Sequence, residues 1–235
     1  MTSAASFCHR PPWQILFGLL MFAAYLASQF LSVQVLQHVL SDAAFAALIQ
    51  GYGFAVILAP SLVLMLAGFW AWRRWFSARP TLVGHFTWGD LARGIGLVLL
   101  IQGLAAAVSV WLDMAPEAFM TSLYDGKNTL QIAIMVVCVL VWAPIIEELA
   151  FRHFLIPRID DQPRGWCAAF LVMFSALCFA GLHMIQYHHL LTFVALFGWG
   201  LVLGYYRWHT RGLLLPMLLH ALVSSIGLVG ALFQG

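Results

Sequence analysis

A chain of 235 residues that is 63% hydrophobic and only 9% charged, with a net charge of +2 and a mean hydropathy of +0.92, cannot cover a water-facing surface. Composition therefore excludes a soluble domain, and the small positive excess excludes a nucleic-acid partner. The chain reads as all-α: a polytopic helix bundle whose immediate partner is a lipid bilayer.

A helix needs about 20 residues to cross the hydrocarbon, and charge-free stretches mark where it does so. In chain order they run over 11–41, 43–72, 94–112, 128–146, 165–206 and 212–235. The first is too long for a signal-peptide core and has no small-residue cleavage site, so it is expected to be a retained anchor. The stretch 165–206 is long enough for two helices, joined by the polar turn Gln186-Tyr187-His188-His189. Seven spans result.

Punctuation within the spans adds detail. Trp70, Trp72, Trp75, Trp111, Trp166 and Trp208 gather at span ends, where indole rings prefer the headgroup level. Pro144 removes a backbone donor inside the fourth span and predicts a kink there. Gly200 and Gly204, with Gly198 nearby, predict close helix packing in the sixth. Cys8, Cys138, Cys167 and Cys178 show no CxxC spacing and are expected to pack as small apolar residues.

Basic residues orient the bundle. Arg10, then Arg73, Arg74, Arg79 and Arg93, then Arg152, Arg158 and Arg164, then Arg207 and Arg211 all fall on one side. Lys127 falls on the other, in a loop with Asp113, Glu117 and Asp125. This predicts a cytoplasmic N-terminus and an external C-terminus. An internal division lies near residue 127. Residues 1–127 form three accessory spans without ionisable groups in their interiors, and 128–235 form a four-helix core that contains them.

Those ionisable groups carry the chemistry. A carboxylate in hydrocarbon costs several kcal/mol unless it is paired, protonated or wet, yet Glu147 and Glu148 follow a charge-free run. Glu148 and Arg152 are i and i+4 with the acid first, the favourable order for an ion pair. Glu147 lies about 100° round the helix and is expected to face elsewhere, free to act. Phe179 and His183 share one face of the fifth span, and His220 and Ser224 one face of the seventh. A lone histidine in a membrane helix is commonly a helix-to-helix hydrogen bonder. Two histidines with a free glutamate supply instead a general base, a group to hold water and a donor for an oxyanion.

Glu147-Glu148-x-x-x-Arg152, Phe179-x-x-x-His183 and the segment Thr210–His220 resemble, in order, the motifs of the CPBP intramembrane proteases, which include the type II CAAX prenyl endopeptidases and the bacterial Abi proteins. The resemblance covers roughly 128–230. It implies a glutamate-dependent endopeptidase of membrane-associated peptides in a bacterial plasma membrane. By position Glu147 would be the base that activates water, His183 would orient the water, and His220 would contribute to the oxyanion site. Glu148 and Arg152 would hold the helix. The family often has Asn four residues after the last histidine; here that position is Ser224, which offers one hydroxyl donor and no amide carbonyl.

Helix rise of ~1.5 Å per residue places His183 far from Glu147 unless the fifth helix starts outside the bilayer or its following turn sinks into the protein. Gln186–His189 is therefore expected to border a wet cavity. No cofactor is expected. Zinc held by histidines such as His188 and His189 with a glutamate is kept as the alternative, although the chain has no HExxH motif. The alternative function is a non-catalytic scaffold or a proton or solute relay that keeps the polar cluster for packing or proton passage.

Overall fold

The computed structural model describes residues 12–76, 82–155 and 165–233. Arg10, Arg79, Arg158, Arg164 and Cys8 lie outside the described residues. Among those described there are helices and no strands. They are α1 (Pro12–Val39), α2 (Asp42–Trp75), α3 (Trp88–Trp111), the one-turn α4 (Ala118–Thr121), α5 (Thr129–Phe154), α6 (Trp166–His183), α7 (Leu190–Thr210) and α8 (Leu214–Leu232). Seven of them are long and apolar enough to span a membrane. Leu16, Leu20, Phe30, Val63, Val110 and Phe170 point outward and exposed, as lipid-facing side chains should.

Helix starts follow local chemistry. Ser41 accepts from the Ala44 amide, and Thr87 with Asp90, and Asn128 with Gln131, form reciprocal capping boxes. The Thr87–Asp90 box starts α3 at Trp88, six residues before the charge-free stretch. Arg93 is no obstacle because it pairs with Asp90 at 2.9 Å. α5 likewise runs eight residues past 146, to Phe154. Charge-free counting ends a span at its first acid, but here Glu148 is paired with Arg152 inside the bundle and the helix continues.

α5 is not uniform. Its bonding passes from α to π over Cys138–Trp142, returns to α over Ala143–Glu147, and is π again over Glu148–Phe154. The break expected at Pro144 thus takes the form of a π-segment immediately before it, with the Ala143 amide bonded to the Cys138 carbonyl.

The most extensive helix pair is α6 with α7. A Cβ on Gly200 would lie 2.9 Å from the Ala176 Cα, and one on Gly204 2.9 Å from Val172; only glycine permits this approach. α1 and α2 lean together on the end of α5 through Phe17, Phe22, Tyr25, Phe151 and Phe154. Trp72 belongs to this cluster. It is fully buried against His153, Phe154 and Phe76, not at the headgroup level, because it faces the inner side of α2. Trp70, Trp75, Trp111 and Trp166 are exposed as expected.

The Ser175 hydroxyl donates to the Phe151 carbonyl at 3.0 Å and sets the register of α6 against α5. Above that level α6 rises only about 12 Å to His183, whereas α5 extends roughly 33 Å to its first residue, at ~1.5 Å per residue. The α6–α7 turn is therefore recessed below the outer end of α5, and the segment around α4 lies over it. The Glu117 carboxylate accepts from the His188 and His189 amides at 3.0 Å and from the Thr192 hydroxyl at 2.6 Å, capping α7.

Candidate active site

The recessed turn is what brings the three separated residues together. His183 Nε2 lies 3.8 Å and His220 Nε2 3.7 Å from the same oxygen, Oε2 of Glu147. That oxygen is buried and has no hydrogen-bond partner. Glu148 is entirely buried, faces Arg152 at 3.3 Å and accepts from His220 Nδ1 at 2.9 Å. The two glutamates do not serve unrelated neighbours: the His220 imidazole spans the step between them, with Glu148 on its Nδ1 side and Glu147 on its Nε2 side.

These contacts fix the tautomers. The Phe179 carbonyl can only accept, so His183 Nδ1, 2.8 Å away, carries hydrogen. His220 Nδ1 likewise donates to the Glu148 carboxylate. In their neutral forms both rings therefore turn unprotonated Nε2 atoms toward Glu147. Three acceptors then converge with no donor among them, at distances too long for direct hydrogen bonds. Such a cluster is satisfied by a water donating into it, or by protonation of one ring.

Phe179 organises the surroundings. Its ring packs against His183 at 4.5 Å and edge-on to His220 at 5.6 Å, and the Arg152 guanidinium sits over it at 4.6 Å. Arg152, itself fully buried, also donates to the Gly200 carbonyl at 3.4 Å, while Arg207 donates to the Arg152 carbonyl at 3.0 Å.

Glu147, His183, His220, Phe179 and Ser224 line one cavity of about 650 Å³, together with Gln186, Tyr187 and His189 of the recessed turn. His188 does not line it. Ser225 is engaged with its own helix, donating to the Ala221 carbonyl at 2.7 Å, which leaves Ser224 as the hydroxyl available at that end of the site. A zinc site requires ligand atoms about 2.0–2.2 Å from one point. Among the described residues no group of three or more His, Cys, Asp or Glu side chains meets at such distances.

Three contributors carried weaker sequence signals. Tyr187 stacks on His183 at 6.4 Å and bonds through its hydroxyl to Met120. Burial, with the charges of Glu117 and Glu147 nearby, pushes its phenol up to about 12. Its i,i+4 spacing from His183 was the available clue. Arg207, a topology marker by sequence, is 1% exposed and structural. Glu117 has no local motif. Its partners lie 71–75 residues away.

Residues 129–226, which span the whole constellation, match the model of the type II CAAX prenyl endopeptidase Rce1-like family. The chain is 30% identical over 174 residues to an uncharacterized 24.3 kDa protein of Escherichia coli, covering 72% of this chain and 76% of that one. No solved structure matches significantly. With the family match falling on the helices that assemble the glutamates and histidines, the chain belongs to the Rce1-like, or CPBP, family of membrane peptidases.

Proposed function

We propose that this protein is an intramembrane endopeptidase that hydrolyses peptide bonds of membrane-associated substrates with a water activated by Glu147. The observation that carries this reading is the convergence of His183 Nε2 and His220 Nε2 on one unpartnered oxygen of Glu147 at the wall of a cavity. A water between Glu147 and His183 donates a hydrogen to each of two acceptors. Glu147 takes one proton as the water oxygen attacks the scissile carbonyl carbon. The carbonyl oxygen becomes an oxyanion, stabilised by His220 Nε2–H in its imidazolium form and by the Ser224 hydroxyl. When the C–N bond breaks, Glu147 returns the proton to the leaving amine.

Glu148 and Arg152 act through position: the pair holds α5 and fixes the His220 ring. α1–α3 serve as accessory walls, and α5–α8 carry the chemistry. Glu147→Gln tests the mechanism, because it preserves shape and removes the base. Cleavage of a membrane-peptide library by purified protein should fall at least ~10²-fold with unchanged folded yield. Equal cleavage by the variant would show that Glu147 is not the base.

A further inference from the structure

The cavity has a side. Its lining skips the same end of every helix: no residue in 59–101, 148–178 or 204–219 contributes. Those are the segments on the arginine-rich face. Its exposed lining residues are Ala106, Ala115, Pro116, Ile185 and Gln186, all on the Lys127 face. Beneath Glu147, toward the arginine-rich face, lies a sealed layer of Glu148, Phe151, Arg152, Phe154, Ala176 and Leu213, each no more than 3% exposed. Neither water nor a peptide reaches Glu147 through that layer.

The lining also has a charge pattern. Apart from histidines its ionisable members with formal charge are Glu117, Lys127 and Glu147. Glu117 is consumed by the α7 cap, and Glu147 is the proposed base. Lys127 is the one charged lining residue left over, and the other polar groups are neutral, such as Gln29, Gln102, Ser109 and Thr192. A basic side chain of a substrate would meet only Glu117 and Glu147, both already engaged, and an acidic one only Lys127, so charge is poorly matched along the rest of the lining. A regular helix would also be a poor occupant, since its carbonyls are engaged internally.

From this asymmetry we propose that the substrate is an uncharged, apolar, extended stretch of a translocated chain, presented at the external leaflet. A cytoplasmic tail has no route to the site. The inference rests on the peptidase reading above and on the orientation set by the arginines. It names the side from which the substrate comes.

Access is tested without catalysis. In protein whose four cysteines are replaced by alanine, single Ile185→Cys and Ala143→Cys variants place a thiol at the rim and on the cavity wall one turn before Glu147. Ala150→Cys, in the sealed layer, is the control. A membrane-impermeant maleimide should label Ile185→Cys and Ala143→Cys in right-side-out vesicles, at least tenfold faster than in inside-out ones, and Ala150→Cys in neither. Faster labelling of Ala143→Cys from the inside-out face, or labelling from neither face, would overturn the proposal. Substrate choice is then read with two single-span reporters carrying the same Leu/Ala/Ser stretch at either the external or the cytoplasmic end, each with wild type and with Glu147→Gln. Cleavage of the external reporter alone is expected. Equal or preferential cleavage of the cytoplasmic reporter would refute the sidedness and leave the peptidase reading standing. No cleavage of either by wild type, with Ala143→Cys open to the outside, would count against the peptidase reading itself and remove the substrate assignment with it.

Discussion

His220 Nδ1 and Glu148 Oε1 are 2.9 Å apart, and that same oxygen faces the Arg152 guanidinium at 3.3 Å. One buried carboxylate thus orients a ring on α8 and neutralises a cation on its own helix. The ring then has only Nε2 left to turn toward Glu147. The geometry of the site is held by a charge pair that lies outside the cavity lining.

Removing the cation should therefore damage the fold as well as the reaction. Arg152→Ala leaves Glu148 buried and uncompensated, a loss of about 3–5 kcal/mol. We expect a lower folded yield and a lower midpoint of thermal unfolding in detergent. The double variant Glu148→Gln/Arg152→Met should regain much of the stability, since neither charge remains, without regaining activity. Unchanged unfolding of Arg152→Ala would contradict the structural role.

Ser224 stands four residues after His220, on the cavity wall. If its hydroxyl donates to the oxyanion, Ser224→Ala should lower kcat by about 10²-fold with little change in KM. Ser224→Asn, which restores an amide donor, should keep at least wild-type kcat. Equal kcat in Ser224→Ala and wild type would remove the hydroxyl from the mechanism.

Water activation by a carboxylate alone makes a prediction about chelators. Prolonged treatment with a strong chelator, followed by metal analysis of the purified protein, should leave activity unchanged in a metal-free sample. Loss on chelation with recovery on adding zinc would assign the convergent Nε2 atoms to a metal instead.

The Glu117 cap has a pH signature. Partial burial opposes its ionisation, but the Thr192 hydroxyl, the two turn amides and His189 outweigh burial and hold the carboxyl below its ordinary 4.5. A depressed value means the cap's contribution is full above about pH 4.5 and is lost as pH falls through the lowered value. Glu117→Gln should cost about 1 kcal/mol near neutrality. The difference in unfolding midpoint between variant and wild type should shrink only in acid. A difference that stays constant down to pH 3 would mean the charge is not what matters.

How much of this was legible depended on what each residue interacts with. Seven spans and the marked residues Glu147, His183 and His220 could be read from hydropathy, because a polar group in an apolar run is conspicuous whatever its partners. The recessed turn followed from helix rise, since three residues at different heights can meet only by displacing a helix. Boundaries were less legible. α5 continues past Glu147 because Glu148 is paired with Arg152 and His220, and α3 begins before Arg93 because Arg93 is paired with Asp90, whereas a linear count takes every charge as a boundary. Trp72 shows the same limit, since position near a span end does not say which side of the helix faces inward. That both glutamates meet one ring was hidden because an imidazole carries nitrogens on two sides and can span neighbouring side chains. Glu117 was hidden by distance along the chain.

The recess also has a consequence for the lipid. α6 and α7, of 18 and 21 residues, stand in the same bundle as α2 and α5, of 34 and 26. Helices of such different lengths cannot all match one bilayer thickness, so the membrane thins or the longer helices tilt, at a cost that grows with each ångström of mismatch. Thickness thereby becomes a variable of the protein. In short-chain lipids the shallow flank is satisfied and the turn can stay at its present depth. In long-chain lipids the acyl tails crowd it, and the polar turn beside His183 bears the strain.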